Sequence, residues 1–332
     1  MQEVCKMVGK RATRVILILI GVVFSLFPLS ARSQEEYPNR PIQIICPYPA
    51  GGSSDLMTRV VAEKLKEYLG QPVLVLNKPG AGTALGAGYV ANSKPDGYTL
   101  YSAAAGIFVY LHAVNPSFSN RLSDFSPIAA IAKYPQVAVA NQGVPVNNLK
   151  EMVDYIKKNP GKVSYCSVGI ASAGHLLWES LKQAQHLDIQ HIPYTGVAPA
   201  LTALVGGQSQ FAIFPFSSLI IKQSQAKAIR IIGIAGSKSP FLPDIPTSAE
   251  QGFPDLFYDS YMNFSAPAKT PQPIVHKLEG IFEKAVQDKG LRDKLKELGF
   301  EVEFLNSPAT QKYLDGEHKW GDLIRKANII TK

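Results

Sequence analysis

Short apolar runs alternate with helix-patterned segments along most of this chain, and the turns after the runs are rich in glycine and serine. Such alternation argues for a mostly parallel α/β sheet, because parallel strands need a crossover, usually a helix, between them. The first set reads as a strand over Pro41–Cys46, a helix over Asp55–Leu69 closed by Gly70, and a strand over Pro72–Leu76. A short helix over Gly86–Asn92 and a strand over Tyr98–Ala103 complete it. The second set reads as an extended run over Ala129–Ala140, a helix over Leu149–Asn159, a strand over Val163–Ser167 and a helix over His175–Gln185. Strands over Ile189–Pro193, Phe211–Pro215 and Arg230–Ala235 follow, with a helix over Val197–Val205. Pro240–Pro254 reads as a surface loop and Phe257–Ala266 as extended. Helices over Pro273–Lys289 and Ala309–Ala327 close the chain.

The first thirty-odd residues stand apart from this pattern. Lys6, Lys10, Arg11 and Arg14 precede an apolar run from Val15 to Phe27, broken by Pro28 and followed by Ala31-Arg32-Ser33. Basic start, short apolar core and small residues at a cleavage site are a secretory signal, with residues 1–33 removed. The alternative is an uncleaved anchor, but the run is short of the ~20 residues a span needs. Removal takes five basic residues and Glu3, which lowers the net charge from +8 to +4. The basic balance of the whole chain therefore does not imply a nucleic-acid partner. Cys46 and Cys166 remain in an oxidising compartment. Parity alone allows a disulfide between them, but small apolar-like packing is the common fate of Cys, so two free, buried thiols are expected.

The turn Pro47-Tyr48-Pro49-Ala50-Gly51-Gly52-Ser53-Ser54-Asp55 joins the first strand to the first helix. Glycines let the backbone approach a ligand, and the first N–H groups of a helix point outward with the positive end of the dipole behind them. A carboxylate would satisfy those donors. The plainer alternative is an ordinary turn capped by Ser54 or Asp55. Similar small-residue turns end other strands at Ser102-Ala103-Ala104-Ala105-Gly106, at Ser167–His175 and at Tyr194–Pro199, and none of them contains Lys or Arg. That composition suits capture of a small anion by backbone N–H and hydroxyl groups.

Catalytic and metal motifs fail on inspection. A nucleophile elbow around Ser172 would need glycine where Ile170 stands, so Ser172 reads as a helix cap with His175 in the first turn. Gly80-Ala81-Gly82-Thr83-Ala84-Leu85 lacks the third glycine of a dinucleotide fingerprint, so no cofactor is expected. The six histidines, at 112, 175, 186, 191, 276 and 318, show no metal-ligand spacing.

Seven ordered blocks give the chain a closer identity. They include Pro49–Asp55, Gly70-Gln71-Pro72-Val73, Asn77–Gly82, Pro95–Leu100, Ile192–Leu201, Leu242–Thr247 and Ala266–Pro271. Together they resemble the extracytoplasmic receptors of the tripartite tricarboxylate transporter system, the Bug receptors, over nearly the whole chain after the signal. The resemblance implies a type II periplasmic-binding-protein fold: two α/β domains joined by two crossing strands, near Ala132–Ala140 and Tyr258–Ala266, with a ligand cleft between. It implies domain 1 as 37–135 plus 262–332, domain 2 as 136–261, and a periplasmic monomer that hands a small carboxylate to membrane permease subunits. No enzyme activity, cofactor, metal or nucleic acid is implied.

By the same resemblance the ligand set is Tyr48, Ala50, Gly51, Gly52, Ser53, Ser54, Asp55, Ser102 and Ala104 from the first domain. From the second it is Ser167, Gly169, Ser172, His175, Tyr194, Thr195, Gly196, Ala198 and Pro215. Many relatives carry Lys or Arg where Thr195 stands and Asp where Pro215 stands. These departures imply a more apolar far end to the pocket, suited to an aromatic or branched carboxylate. A ligand-sensing partner of a two-component sensor is an alternative on the same fold, and a secreted hydrolase using Ser172 and His175 is a more distant one.

Overall fold

The computed structural model describes residues 36–80, 83–104, 121–317, 320, 321 and 324. The expected signal, Ala81, Gly82, Ala105, Gly106, His112, His318 and most of the chain after residue 317 lie outside the described residues. The chain divides at Asn39–Arg40, and the architecture below is that of the described residues from Arg40 onward.

The first set of elements follows the alternation. Strand β1 (Ile42–Cys46) pairs in parallel with β2 (Val73–Asn77) and with β3 (Thr99–Ala104). Helices α1 (Ser53–Leu69) and α2 (Ala84–Ala91) make the crossovers. On α1 the stripe Met57, Val61, Leu65 and Leu69, spaced by four, is buried against the sheet. Gly70 ends the helix in the left-handed region (φ +64°), and its N–H bonds the Lys66 carbonyl at 3.1 Å.

Strand β4 (Phe125–Asn141) is the backbone of the molecule. It is 17 residues long, and its two parts serve different neighbours. Residues up to Pro135 pair antiparallel with β9 (Asp259–Pro267), and Ala130–Lys133 also meet β10 (Glu301–Leu305). From Gln136 onward β4 lies between β7 (Phe211–Pro215) and β8 (Ile229–Ala235). The strand order is β2-β1-β3-β9-β4-β7-β5-β6, where β5 is Ser164–Ser167 and β6 is Gln190–Pro193, both running parallel with β7 in this part. Of the two expected crossings, β4 pairs on both sides. Among the described residues strand β9 pairs only with β3 and the first part of β4, and the chain returns just before it, where Tyr258 N–H bonds the Ala235 carbonyl.

Helices α3 (Leu149–Lys158), α4 (Ala173–Gln185) and α5 (Val197–Val205) cover the second part on both faces. Consecutive β5 residues show this: Tyr165 belongs to one core with Trp178 and Met152, and Cys166 to another with Phe214 and Leu204. Strands buried on both faces are what parallel crossovers impose. Cys46 and Cys166 are free and buried, as expected, and sit in different strands.

Several elements differ from the sequence reading, β4 among them: it begins at Phe125, ahead of the expected Ala129. Helix α6 (Ser218–Gln225) was not expected, and it buries only Ile220. The expected helix to Lys289 stops at Gln287. Asp288 turns extended (ψ 124°) and caps a further helix, so α7 (Gln272–Gln287) is followed by α8 (Lys289–Glu297) and then β10. Helix α9 (Ser307–Gly316) covers the first part of the helix expected over Ala309–Ala327, and Trp320, Gly321 and Ile324, the described residues beyond Glu317, are helical as well.

Candidate functional site

Pairing registers place the strand ends. Ala104, the last residue of β3, lies opposite Met262, which lies opposite Ala132 of β4. Pro215, the last residue of β7, lies opposite Gln136 of β4. Strand β3 runs with β4 and β7 runs against it, so the carboxyl ends of the two sets point toward each other. Four residues of β4 separate their levels, roughly 13 Å at strand rise. Strand β1 ends on the same side as β3, and β5 and β6 on the same side as β7. The small-residue turns singled out above follow these ends.

In the first turn, helix α1 begins at Ser53 with Gly52 as its cap residue and no side chain bonded to its first N–H groups. The plainer alternative, a turn capped by Ser54 or Asp55, is therefore not the arrangement found. Asp55 turns the other way. It is 1% exposed, and its Oδ2 accepts from Gly51 N (2.9 Å) and Arg59 Nε (3.0 Å) while Oδ1 accepts from Asn77 Nδ2 (2.7 Å). Asn77 Nδ2 also donates to the Tyr48 carbonyl (3.0 Å), and Arg59 Nη2 donates to Asn77 Oδ1 (2.7 Å). The turn is thus tied at Tyr48 and at Gly51, and Ala50, Gly51 and Gly52 are exposed between and beside the ties. Burial alone would push the Asp55 carboxyl up, but the bonds from Arg59, Asn77 and Gly51 outweigh it and hold the group below its ordinary value. Arg59 neutralises Asp55, so the buried carboxylate does not repel an anion at the turn.

Tyr48 Oη accepts from Ala104 N (3.1 Å), which joins the ends of β1 and β3. Burial pushes the Tyr48 phenol up, so it stays neutral. Ser102 is fully buried, and its hydroxyl bonds Thr58 of α1 at 2.8 Å. It braces the helix from behind.

In the second set, Ser172 is the cap of α4: its Oγ accepts from His175 N (3.4 Å), as expected from the sequence. That bond runs to the backbone. The His175 ring instead takes Ala171 N–H on Nδ1 at 2.9 Å, and Ala171 sits in the left-handed region (φ +59°). Neither contact activates the Ser172 hydroxyl, so the pair has no nucleophile–base geometry. Ser167 is buried beneath the turn, with Gly169 (φ +143°) above it. Tyr194 Oη bonds Gln208 Oε1 (3.3 Å). Thr195 and Ala198 are exposed, and Gly196 (φ +136°) is the cap residue of α5, again with no side-chain cap. Pro199 in the first turn of α5 brings no N–H of its own.

Two helix starts, α1 and α5, thus follow a glycine, carry no side-chain cap, and stand at strand ends that face each other. Sequence reasoning missed Arg59, Thr58, Asn77, His191 and Gln136. Arg59 lies four residues after Asp55, which was a readable pairing signal. The others act across 22 or more residues. Gln136, 1% exposed at the point where β4 changes neighbours, donates to Ser260 Oγ at 3.1 Å. Among the described residues no group of His, Cys, Asp and Glu could hold a metal ion, and no helix is long and apolar enough to cross a membrane.

Comparison with known proteins is consistent in kind. The model of the tripartite tricarboxylate transporter family receptors matches residues 57–329. The chain is 31% identical over 324 residues to protein BugT of Bordetella pertussis, covering 96% of this chain and 98% of that one. MatC from Rhodopseudomonas palustris, solved with bound malate, superposes with a TM-score of 0.78 at 27% identity, over 87% of this chain and 100% of that one. A second R. palustris protein, solved with adipate, gives 0.82 at 27% identity, over 88% and 99%. The fold class read from the sequence is the one these structures share.

Proposed function

Because the chain belongs to the tripartite tricarboxylate transporter receptor family, we propose that it is a periplasmic solute-binding protein that captures a small organic carboxylate and delivers it to membrane permease subunits. The observation that carries this reading is the pair of uncapped helix starts, at Gly52 and Gly196, on strand ends that face each other along β4. Each offers unpaired N–H donors and a positive dipole end, the usual means of holding an anion without a cationic side chain.

In this reading residues 37–135 with 262–332 form one lobe and 136–261 the other, meeting at Pro135–Gln136. The ligand lies in the cleft between them and favours a closed state by touching both lobes at once. Ala50, Gly51, Gly52, Ser53 and Ser54 hold a carboxylate from one side, and Gly196 and Ala198 contact the ligand from the other. Asp55 acts through the turn it braces. Tyr48, Ala104, Ser167, Gly169, Ser172, Tyr194 and Pro215 shape the walls. The absence of charge at Thr195 and Pro215 favours a ligand whose remainder is uncharged, an aromatic or branched acid, over one with a second charged end.

Calorimetric titration and thermal shift with malate, adipate, benzoate and 3-methylbutanoate test this. A ligand at about 100 times its Kd stabilises the folded state by about 2.7 kcal/mol, so binding is readable as a rise in Tm. The reading expects saturable binding of at least one carboxylate, with benzoate or 3-methylbutanoate ahead of malate. Binding of malate alone would remove the apolar far end, and silence toward every carboxylate would remove the function.

A further inference from the structure

Beneath the second turn lies a stack of rings that the proposed ligand contacts do not use. His175 of α4 and His191 of β6 lie face to face with ring centroids 3.9 Å apart, and Tyr165 of β5 stacks on His191 at 4.8 Å and on Trp178 at 4.7 Å. His175 is 4% exposed. The hydrogen bonds fix where the ring protons sit. Ala171 N–H donates to His175 Nδ1, so that nitrogen is bare and the proton is on Nε2, 3.9 Å from Glu179 Oε1. Ser167 Oγ donates to the Gly169 carbonyl at 3.0 Å, so it accepts from His191 Nε2 at 2.7 Å and from Gly169 N at 3.3 Å. One ring thus holds Ala171 and the other holds Ser167 and, through it, both polar backbone groups of Gly169.

We propose that His175 and His191 are positioning residues for ligand capture, each acting as a neutral imidazole whose single fixed hydrogen bond keeps the Gly169–Ser172 turn in its ligand-receiving shape. This rests on the carboxylate reading, in which Gly169 and Ser172 shape the wall of the cleft. A protonated His175 would present N–H to N–H at Ala171, and the left-handed Ala171 would lose the bond that holds it. The groups facing the pair are Glu179 and Lys182 from α4 and Tyr165 from β5. Tyr165 Oη (2.7 Å) and Lys182 Nζ (2.8 Å) both donate to Glu179 Oε1, which occupies that carboxylate. Burial, helped by the Lys182 charge, holds His175 down at about 4, and burial with His175 alongside holds His191 at about 3. Both rings are therefore neutral at ordinary pH.

Side chains that copy one nitrogen separate positioning from packing. In His175→Asn the amide oxygen takes the place of Nδ1, whereas His175→Leu fills the space without an acceptor. In His191→Gln the amide nitrogen takes the place of Nε2, whereas His191→Phe keeps only the stacking. With adipate and benzoate as probes in calorimetry at pH 7, Leu at 175 and Phe at 191 are expected to weaken binding tenfold or more. Asn and Gln are expected to restore it to within about threefold of the parent. Below pH 5 the parent is expected to lose affinity more steeply than His175→Asn toward the same probe, a comparison in which the probe's own titration drops out. Circular dichroism and urea midpoints check that each variant is folded. Should His175→Leu not fold, the half-buried His191 pair carries the comparison. Equal affinity across the variants, or amide variants as weak as the apolar ones, overturns the proposal while leaving parent binding, and so the carboxylate reading, intact. Parent protein silent toward every carboxylate overturns both.

Discussion

Replacing Asp55 with Ala is expected to weaken carboxylate binding by about 100-fold while the protein remains folded. The side chain accepts three bonds, from Gly51, Arg59 and Asn77, and two of those donors fix the turn that offers its N–H groups to the ligand. Losing a bond to a charged acceptor costs about 1.5–3 kcal/mol, and about 2.7 kcal/mol is a hundredfold in affinity. One effect opposes this: Arg59, freed of its partner, would attract an anion. Its side chain is 46% exposed and already bonded to Asn77, so solvent screens most of that attraction. Loss of the turn therefore outweighs the gain in charge. Asp55→Asn keeps one acceptor and is expected to fall between Ala and the parent. Calorimetry with the best-binding carboxylate measures all three. Affinity in Asp55→Ala equal to or tighter than the parent would show that the turn needs no brace.

The same carboxylate sets a pH dependence. The folded-state pKa of Asp55 lies below its ordinary value near 3.8. The group therefore contributes stability that is fully present above that value and is lost as pH falls through the lower folded pKa, because the unfolded chain takes up the proton first. The buried histidines act in the same direction at higher pH: the unfolded chain protonates near 6.5 while the folded rings stay neutral to about 4 and about 3. Stability should decline from about pH 6.5 downward in the parent and decline less in His175→Asn.

The second large effect is on the fold. Gly174 stands where α4 meets β7, and a Cβ there would collide with the Ile213 carbonyl oxygen and lie 3.1 Å from its carbon. Backbone in the middle of a paired strand does not yield as a flexible side chain would. Helix α4 must tilt away, and the Ala171–His175 contacts go with it. Overpacking typically costs 1–3 kcal/mol, and a clash against backbone belongs at or above the upper end, about 3 kcal/mol for Gly174→Ala. For a chain of this size that corresponds to a Tm lower by roughly 5 °C. Gly174→Ala is also expected to bind carboxylate poorly at temperatures where it is still folded. An unchanged Tm would mean that α4 approaches β7 less closely than described.

Much of this architecture could be read from periodicity. Strand–helix alternation, the stop at Gly70, the Ser172 cap and the small-residue turns at strand ends all depend on residues a few positions apart. What escaped the sequence depends on distant partners. Asp55 looks like a cap or a ligand contact until Asn77, 22 residues on, turns it inward. His175 looks like a cleft residue until Ala171 and His191 claim its ring. The sequence reads β4 as Ala129–Ala140, through Pro135 but without Phe125–Ile128 beside Pro127. In the fold the register shifts beside Pro127, and Pro135 falls where β4 changes neighbours. Helix α8 was hidden by Asp288-Lys289-Gly290, which reads as the end of one helix and is the start of another.

The central claim is that backbone N–H groups at two facing strand ends hold the ligand's acid group. A crystal structure of the protein with its best-binding carboxylate tests it most directly. The account predicts carboxylate oxygens within hydrogen-bond distance of N–H groups among Gly52–Ser54, or of a water they hold, with the remainder of the ligand against Gly196–Ala198 and Pro215. A carboxylate paired with a Lys or Arg side chain, or seated away from both glycine turns, would contradict it.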